Sequence, residues 1–162
     1  MKMKQTNITL SNGETIFFRS SGSGSQALLL IHGNLCSGRH LESFIPYLDP
    51  RYTFFVPDMR GFGNSSYQNP IRGISDFSED LELFARALHL DTFSLLGWSA
   101  GGCICMDYGL KYPSRVNSLI LVETVGYQGC PLMTPDGLPF HSALHLQQEP
   151  SQVCLLYTSR CV

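Results

Sequence analysis

The feature that most constrains this chain is the octapeptide Leu95–Gly102, which reads LLGWSAGG. An apolar run ends at Ser99, and Gly97 and Gly101 flank that serine at the spacing Gly-x-Ser-x-Gly. This spacing is typical of a nucleophile elbow, a strand-to-helix turn so sharp that its central residue adopts a strained backbone. Only small flanking residues let the strand and the helix approach closely enough. The motif therefore predicts an exposed serine hydroxyl and, beside it, a backbone N–H of Ala100 directed at a ligand.

The sequence on both sides of the octapeptide favours an elbow over an incidental serine in a glycine-rich turn. Residues 92–96 are β-branched, aromatic and apolar, as expected of a buried parallel strand. Residues 101–112 contain no proline and are followed by Pro113, which is typical of a helix and its end. A strand, a serine turn and a helix are therefore all predicted in the order that the motif requires.

Composition excludes several classes of protein. The chain has 162 residues, enough for one domain that buries ~70% of its unfolded surface. The net charge of −2 provides no basic face for nucleic acid. The start of the chain has no apolar stretch after its lysines, and apolar runs such as 27–31 are too short to span a bilayer. The six cysteines form no C-x-x-C pair. We expect a cytoplasmic protein with free thiols, without a membrane segment, a metal or an organic cofactor.

Apolar strands alternate with amphipathic helices along the chain. Strands are predicted at 27–31, 52–56, 92–96 and 116–122. A hairpin joins 5–10 to 14–20 across Asn12-Gly13, a short helix covers about 38–48, and a further helix begins at a capping box at Asp76. This alternation predicts an α/β fold with a doubly wound, mostly parallel sheet.

Polar residues follow three of these strands. His32-Gly33-Asn34 comes after the first strand, Asp58-Met59-Arg60 after the second, and Ser99 after the third. Because the carboxyl ends of parallel strands meet at one edge of a sheet, where ligands bind, we expect these residues to surround one site.

With these motifs in this order, the chain resembles the α/β-hydrolase superfamily over roughly residues 8–130. The matching segments are His32–Asn34, Asp58–Ser65 and Gly97–Gly102. The resemblance implies a serine hydrolase of carboxylic esters, lactones or thioesters, in which a small-molecule substrate acylates Ser99 and water releases the product. Trp98 beside the serine resembles the esterase and lactonase-like branches. A serine in place of the aspartate of dehalogenases and epoxide hydrolases disfavours those two activities.

The resemblance also implies roles for individual residues. The backbone N–H groups of Ala100 and Asn34 would form the oxyanion hole, with Leu35 as the neighbour that could serve instead of Asn34. His32, in the His-Gly pair with Gly33, would orient this loop and would not be the catalytic base. Asp58 and Arg60 would tie down the loop below the pocket.

In the superfamily the catalytic acid and histidine follow later strands than this chain contains. We therefore expect residues 1–125 to be the N-terminal part of the core, truncated after about the sixth strand, and 126–153 to begin a cap or lid. Glu123, at the end of the strand 116–122, is an alternative acid. His141 and His145 fall in the predicted lid and are given no catalytic role.

Residues 154–162 are interpreted as a translated sequencing adapter. These nine residues can be written as the codons TGT CTC TTA TAC ACA TCT AGA TGT GTA, followed by the stop codon TAA, and that string resembles two transposase recognition ends joined head to head. On this interpretation the strand 116–122 becomes an unprotected apolar edge, and the 162-residue chain has no significant turnover.

Two other classes of function stay open at this point. One is a cofactor-free perhydrolase or C–C bond hydrolase, which would use the same serine. The other is a non-catalytic ligand-binding protein on the same fold. An elbow together with an oxyanion loop favours an enzyme, because a receptor gains nothing from a strained serine. The oligomeric state is left open by the sequence.

Overall fold

The computed structural model describes residues 3–124 in full and, beyond them, the backbone of three short strands at 132–133, 139–140 and 155–158. The rest of the predicted lid, including His141 and His145, lies outside the described residues.

A seven-stranded sheet organises the described part of the chain. Its strands are β1 (Lys4–Thr9), β2 (Thr15–Ser21), β3 (Gln26–Ile31), β4 (Tyr52–Pro57), β5 (Phe93–Trp98), β6 (Val116–Val122) and β9 (Leu155–Thr158). Their order across the sheet is β1-β2-β4-β3-β5-β6-β9. The strands β7 (Leu132–Met133) and β8 (Pro139–Phe140) pair separately. The helices are α1 (Ile74–Ala87) and α2 (Ala100–Lys111), with 3₁₀ turns at Gly38–Tyr47 and Pro113–Arg115.

The direction of the strands confirms the predicted fold class. The pairs β1–β2 and β2–β4 are antiparallel, and every other pair in the large sheet is parallel. The hairpin across Asn12-Gly13 is confirmed too, since β1 and β2 pair from Lys4 with Ser20 to Thr9 with Thr15, and Gly13 adopts a φ of 89°. The carboxyl ends of β3, β4 and β5 therefore share one edge of the sheet.

Both faces of the sheet are covered, as the apolar runs predicted. Along β3, Leu29 and Ile31 belong to the core beneath α1 and α2. Leu28 and Leu30 point the other way and join a smaller core beneath the 3₁₀ segment Gly38–Tyr47. Alternate side chains of one strand thus enter two cores, which is why the strand is apolar at every position and not at every second one.

The first helix begins earlier than the capping box predicted. The sequence placed Asp76 at the N-cap, but α1 begins at Ile74 after an extended Gly73. The Asp76 carboxylate reaches back and accepts the backbone N–H groups of Arg72 at 2.6 Å and Gly73 at 3.3 Å. Asp76 therefore satisfies the exposed N–H groups from inside the first turn, so the helix begins three residues earlier than predicted.

The prediction that β6 is an unprotected edge is wrong for this structure. β9 pairs with it in parallel, from Leu119 opposite Leu155 to Val122 opposite Thr158. An apolar edge strand presents unpaired N–H and C=O groups that recruit an extended segment, and two leucines, a tyrosine and a threonine suit that role. The interpretation of 154–162 as translated adapter concerns the coding sequence and stays a prediction.

Candidate active site

Ser99 forms the turn between β5 and α2. Its backbone has φ 54° and ψ −120°, a left-handed conformation that a residue with a side chain adopts only when its surroundings enforce it. The turn is fixed to the neighbouring strand because the Ser99 N–H donates to the carbonyl of Val122 at 3.0 Å. The α2 helix starts at the next residue, Ala100, so an unpaired helix N-terminus lies directly beside the serine.

The two elbow glycines stand where any side chain would meet backbone. A Cβ added to Gly97 would lie 2.5 Å from the Cα of Gly102. A Cβ added to Gly101 would lie 2.2 Å from the carbonyl oxygen of Ile31. The Gly-x-Ser-x-Gly pattern is thus required by the close packing of β5, α2 and β3, and this packing holds Ser99 in its strained conformation.

The loop after β3 lies against the elbow. A Cβ on Gly33 would be 3.1 Å from the Cβ of Ser99, so this loop passes close to the serine and leaves little room for a side chain there. Asn34 and Ala100 line the same cavity, which measures about 230 Å³. Leu35, the alternative donor, has a φ of 55° and an 89% exposed side chain, and it does not line this cavity. The structure therefore brings Asn34 and Ala100 together and leaves Leu35 outside.

His32 is buried and both of its ring nitrogens are occupied. Nε2 accepts the backbone N–H of Met59 at 3.0 Å, which requires that this nitrogen carry no proton. Nδ1 therefore bears the hydrogen and donates it to the carbonyl of Gly33 at 2.8 Å. Burial lowers the pKa of His32 below its usual value of 6.5, against the opposing charge of Asp58. A neutral imidazole with two backbone partners connects the loops after β3 and β4.

Asp58 also connects loops, through its charged carboxylate. Its side chain is fully buried and accepts the Arg19 guanidinium at 2.6 Å. It also accepts the backbone N–H groups of Gly38 at 2.8 Å and Asn64 at 3.0 Å. The same Arg19 pairs with Glu42 at 2.6 Å. Asp58 thus fixes the end of the loop that begins at His32, and its lone pairs are used for structure.

Arg60 belongs to a second buried network, and two of its members were missed by the sequence analysis. Its guanidinium binds Asp80 through two hydrogen bonds, at 2.7 Å and 2.5 Å, and lies 3.8 Å from the Glu14 carboxylate. Glu14 in turn accepts the backbone N–H groups of Gln68 and Asn69. The local signals for Glu14 and Asp80 were a hairpin turn and a helix, and neither pattern indicates a distant arginine.

The remaining predicted residues lie around the elbow without a hydrogen bond to the serine hydroxyl. Glu123 is exposed and has a φ of 46° at the end of β6. Trp98 is half-buried and packs against the smaller core. Among the described residues no side chain hydrogen-bonds Ser99 Oγ. The three histidines within them are His32, His40 and His89.

The described residues contain neither a cluster of metal ligands nor a membrane-spanning helix. No group of three or more His, Cys, Asp or Glu side chains there is arranged to hold a metal ion. No helix in that part of the chain has the length and apolar character needed to cross a membrane.

Comparison with known proteins gives this geometry a context. The family model for the alpha/beta hydrolase fold matches residues 26–150. The human 1-acylglycerol-3-phosphate O-acyltransferase ABHD5 is 33% identical over 156 residues, covering 84% of this chain and 41% of that protein. The pimeloyl-[acyl-carrier protein] methyl ester esterase of Aeromonas hydrophila is 35% identical over 98 residues, covering 60% of this chain and 37% of that protein.

A solved structure has a similar backbone fold. The crystal structure of a membrane phospholipase A, a bacterial virulence factor, superposes with a TM-score of 0.72 at 30% identity, covering 76% of this chain and 40% of that one. This chain spans about two fifths of the length of these relatives. With a family match over most of its residues, the chain belongs to the alpha/beta hydrolase fold family.

Proposed function

We propose that the protein is a serine hydrolase in which Ser99 forms an acyl-enzyme with a carboxylic ester, a lactone or a thioester. The observation that carries this proposal is the strained turn at Ser99. A residue with a side chain is held there at φ 54° between two glycines, directly before the first residue of α2. Strain of this kind costs about 1–3 kcal/mol and persists where the conformation has a use.

The proposed chemistry has two steps. Ser99 Oγ loses its proton to a base and forms a bond to the carbonyl carbon, and the bond from that carbon to the leaving group then breaks. The departing alcohol or thiol takes up the proton. Water next attacks the acyl-enzyme, releases the acid and restores the serine hydroxyl.

Each step passes through a tetrahedral intermediate with a negative oxygen. We assign its stabilisation to the backbone N–H groups of Ala100 and Asn34, which border one cavity beside Ser99. Each well-placed donor of this kind contributes roughly 3–4 kcal/mol to lowering the barrier. Both donors belong to rigid parts of the fold, because one opens a helix and the other follows the fastened His32-Gly33 pair.

We further propose that the general base comes from outside the described residues. His32 follows β3 at the same edge of the sheet as Ser99, but both of its ring nitrogens are hydrogen-bonded to backbone. A base must accept the serine proton within hydrogen-bonding reach. The described residues therefore supply a nucleophile and oxyanion donors, and by themselves are expected to give no significant turnover.

The relatives support the class of substrate. Their names describe an O-acyltransferase, a methyl ester esterase and a phospholipase A. All three activities move an acyl group away from an oxygen or onto one. They differ in the acceptor, which is water for a hydrolase and a hydroxyl group for a transferase.

The proposal is tested by labelling the purified chain with an alkyl fluorophosphonate, with imidazole present as an external base. Attack by Ser99 forms an O–P bond and releases fluoride, and peptide mass spectrometry locates the adduct. We expect the adduct on Ser99, none at that peptide in Ser99→Ala, and unchanged labelling in Ser11→Ala, where an exposed hairpin serine is removed. Labelling of Ser99 no faster than that of surface serines would favour a non-catalytic binding protein and contradict the proposal.

A further inference from the structure

We propose that the cavity beside the elbow is the binding site for an uncharged, unbranched aliphatic chain of the substrate, about as long as an octanoyl group. This inference rests on the proposed function, because it concerns the ester that Ser99 would attack. It names the class of substrate and the residues that set its length.

The cavity is connected to the site of reaction. Its lining includes Gly33, Asn34 and Ala100, and Gly33 lies so near the elbow that an added Cβ would stand 3.1 Å from the Cβ of Ser99. A carbonyl group held between the two proposed N–H donors therefore stands at the entrance of this cavity. A substrate chain that extends from that carbonyl toward the cavity therefore enters the cavity.

The walls of the cavity are apolar and come from separate elements. Met59 and Phe62 belong to the loop after β4, Ile74 and Phe77 to the first turn of α1, and Ile104 to α2. The Phe62 ring lies 6.2 Å from that of Phe77, centroid to centroid. These aromatic walls are packed together, so the cavity is preformed and its size is set by side chains.

The cavity offers no partner for a charge. Of the nine residues that line it in the described part of the chain, none carries a carboxylate, an ammonium or a guanidinium group. His32 is held neutral, since its Nε2 accepts a backbone N–H. A charged group placed here would lose its hydration without compensation, which costs several kcal/mol. The site therefore selects against charged chains and favours hydrocarbon.

The volume sets the length of the chain. The cavity measures about 230 Å³. A water molecule takes up ~30 Å³ of liquid and a methylene group a similar volume, so the cavity holds roughly six to eight carbon atoms in a row. Shorter chains would leave part of the cavity empty, and longer ones would extend beyond it.

The experiment measures binding of uncharged amides, whose carbonyl resembles that of an ester but resists attack. Butanamide and octanamide carry the chain on the carbonyl carbon, as an acyl group does. N-butylacetamide and N-octylacetamide carry it on the other side, as the alcohol part of an ester does. Calorimetry gives each Kd for the 162-residue chain, and the backbone amide signals of Asn34 and Ala100 report whether the probe reaches the elbow.

We expect the octyl member of one pair to bind roughly tenfold or more tightly than its butyl counterpart, given the usual gain per buried methylene. A preference in the first pair assigns the cavity to the acyl chain, and a preference in the second assigns it to the alcohol. Equal binding of butyl and octyl probes in both pairs would overturn the proposal.

Three substitutions on α1 locate the effect. Ile74→Trp fills the cavity from a partly exposed position and should abolish the gain from butyl to octyl. Leu83→Trp makes a similar change on the same helix outside the cavity and should retain it. Phe77→Ala enlarges the cavity and should move the chain length that binds most tightly from octyl to decyl. Tighter binding of a longer chain cannot result from unfolding of the variant. Equal effects of the two tryptophan variants would also contradict the proposal.

The outcome is separable from that of the proposed function. Amide binding requires no attack by Ser99, and fluorophosphonate labelling reports that attack directly. Chain-length binding without labelling would leave the cavity assignment standing and remove the hydrolase. Labelling without a chain-length preference would do the reverse.

Discussion

Two neighbouring regions of one sheet edge are built in opposite ways. At the ends of β3 and β4, His32 and Asp58 are buried, and their hydrogen bonds hold loop backbone and, for Asp58, the Arg19 side chain as well. At the end of β5, Ser99 is held by its own backbone and by the close approach of two glycines, and its hydroxyl is left without a hydrogen bond from the described residues.

This difference distinguishes side chains that hold the fold together from a side chain that is free to react. A side chain whose hydrogen-bonding capacity is fully used cannot also accept a proton from a reacting group without breaking the fold. A side chain positioned only by its backbone keeps its capacity for a substrate. The predictions below test whether the first region is structural and whether the second depends on backbone packing.

The largest effect is expected from removing the charge at the end of β4. Asp58→Ala leaves the buried Arg19 with Glu42 alone and leaves two loop N–H groups without an acceptor. Breaking a buried pair in this way costs about 3–5 kcal/mol. Urea denaturation measures the loss. Asp49→Ala removes an exposed pair with Arg51 and serves as the control, with no measurable loss.

An Asp58→Ala protein as stable as the control would contradict the view that this carboxylate is structural. It would instead indicate that the charge is already poorly paired and available for chemistry.

A smaller loss is expected from a methyl group at the elbow. Gly101→Ala places a Cβ against the carbonyl of Ile31, and overpacking against backbone costs about 1–3 kcal/mol. Gly109→Ala on the same helix meets no atom within 4 Å and should stabilise the protein by about 0.4–1 kcal/mol. The two free energies of unfolding should therefore change in opposite directions. A shared sign would show that close packing does not hold the elbow.

Local patterns predicted the parts of the molecule that local forces determine. The Asn12-Gly13 hairpin, the four apolar strands and the elbow follow from backbone preferences and burial within a few residues. The partners of His32 and Asp58 were not predictable in this way, because Met59, Gly38 and Arg19 meet them only after the sheet has formed.

Two predictions were wrong, each for its own reason. Asp76 was taken as a cap before the helix because the pattern does not say whether a carboxylate caps from outside or from the first turn. The partner of β6 was missed because residues 154–162 were interpreted through their coding sequence, although Leu155–Thr158 has the composition of a strand.

The smallest effect expected is a pH dependence of stability from His32. Its pKa is lowered in the folded state, so the unfolded chain binds the proton more readily. Stability from this group is therefore present above about pH 6.5 and is lost as the pH falls below that value. Unfolding free energies from about pH 7.5 to about pH 5.5 should decline in the wild type and in His40→Gln, whose histidine is exposed. The decline should be weaker in His32→Gln, and equal slopes in all three would show that His32 is not held neutral by its contacts.

The central claim is that Ser99 is the nucleophile and that His32 is not its base. The rate of fluorophosphonate labelling of Ser99, with and without imidazole, tests it in the wild type and in His32→Gln. We predict that imidazole accelerates labelling of the wild type, since the described residues place no base at the hydroxyl, and that His32→Gln gains by the same factor. The contrary result has two parts: the wild type is labelled at the same rate with and without imidazole, and His32→Gln is labelled only when imidazole is present. That result would identify His32 as the base and contradict the account.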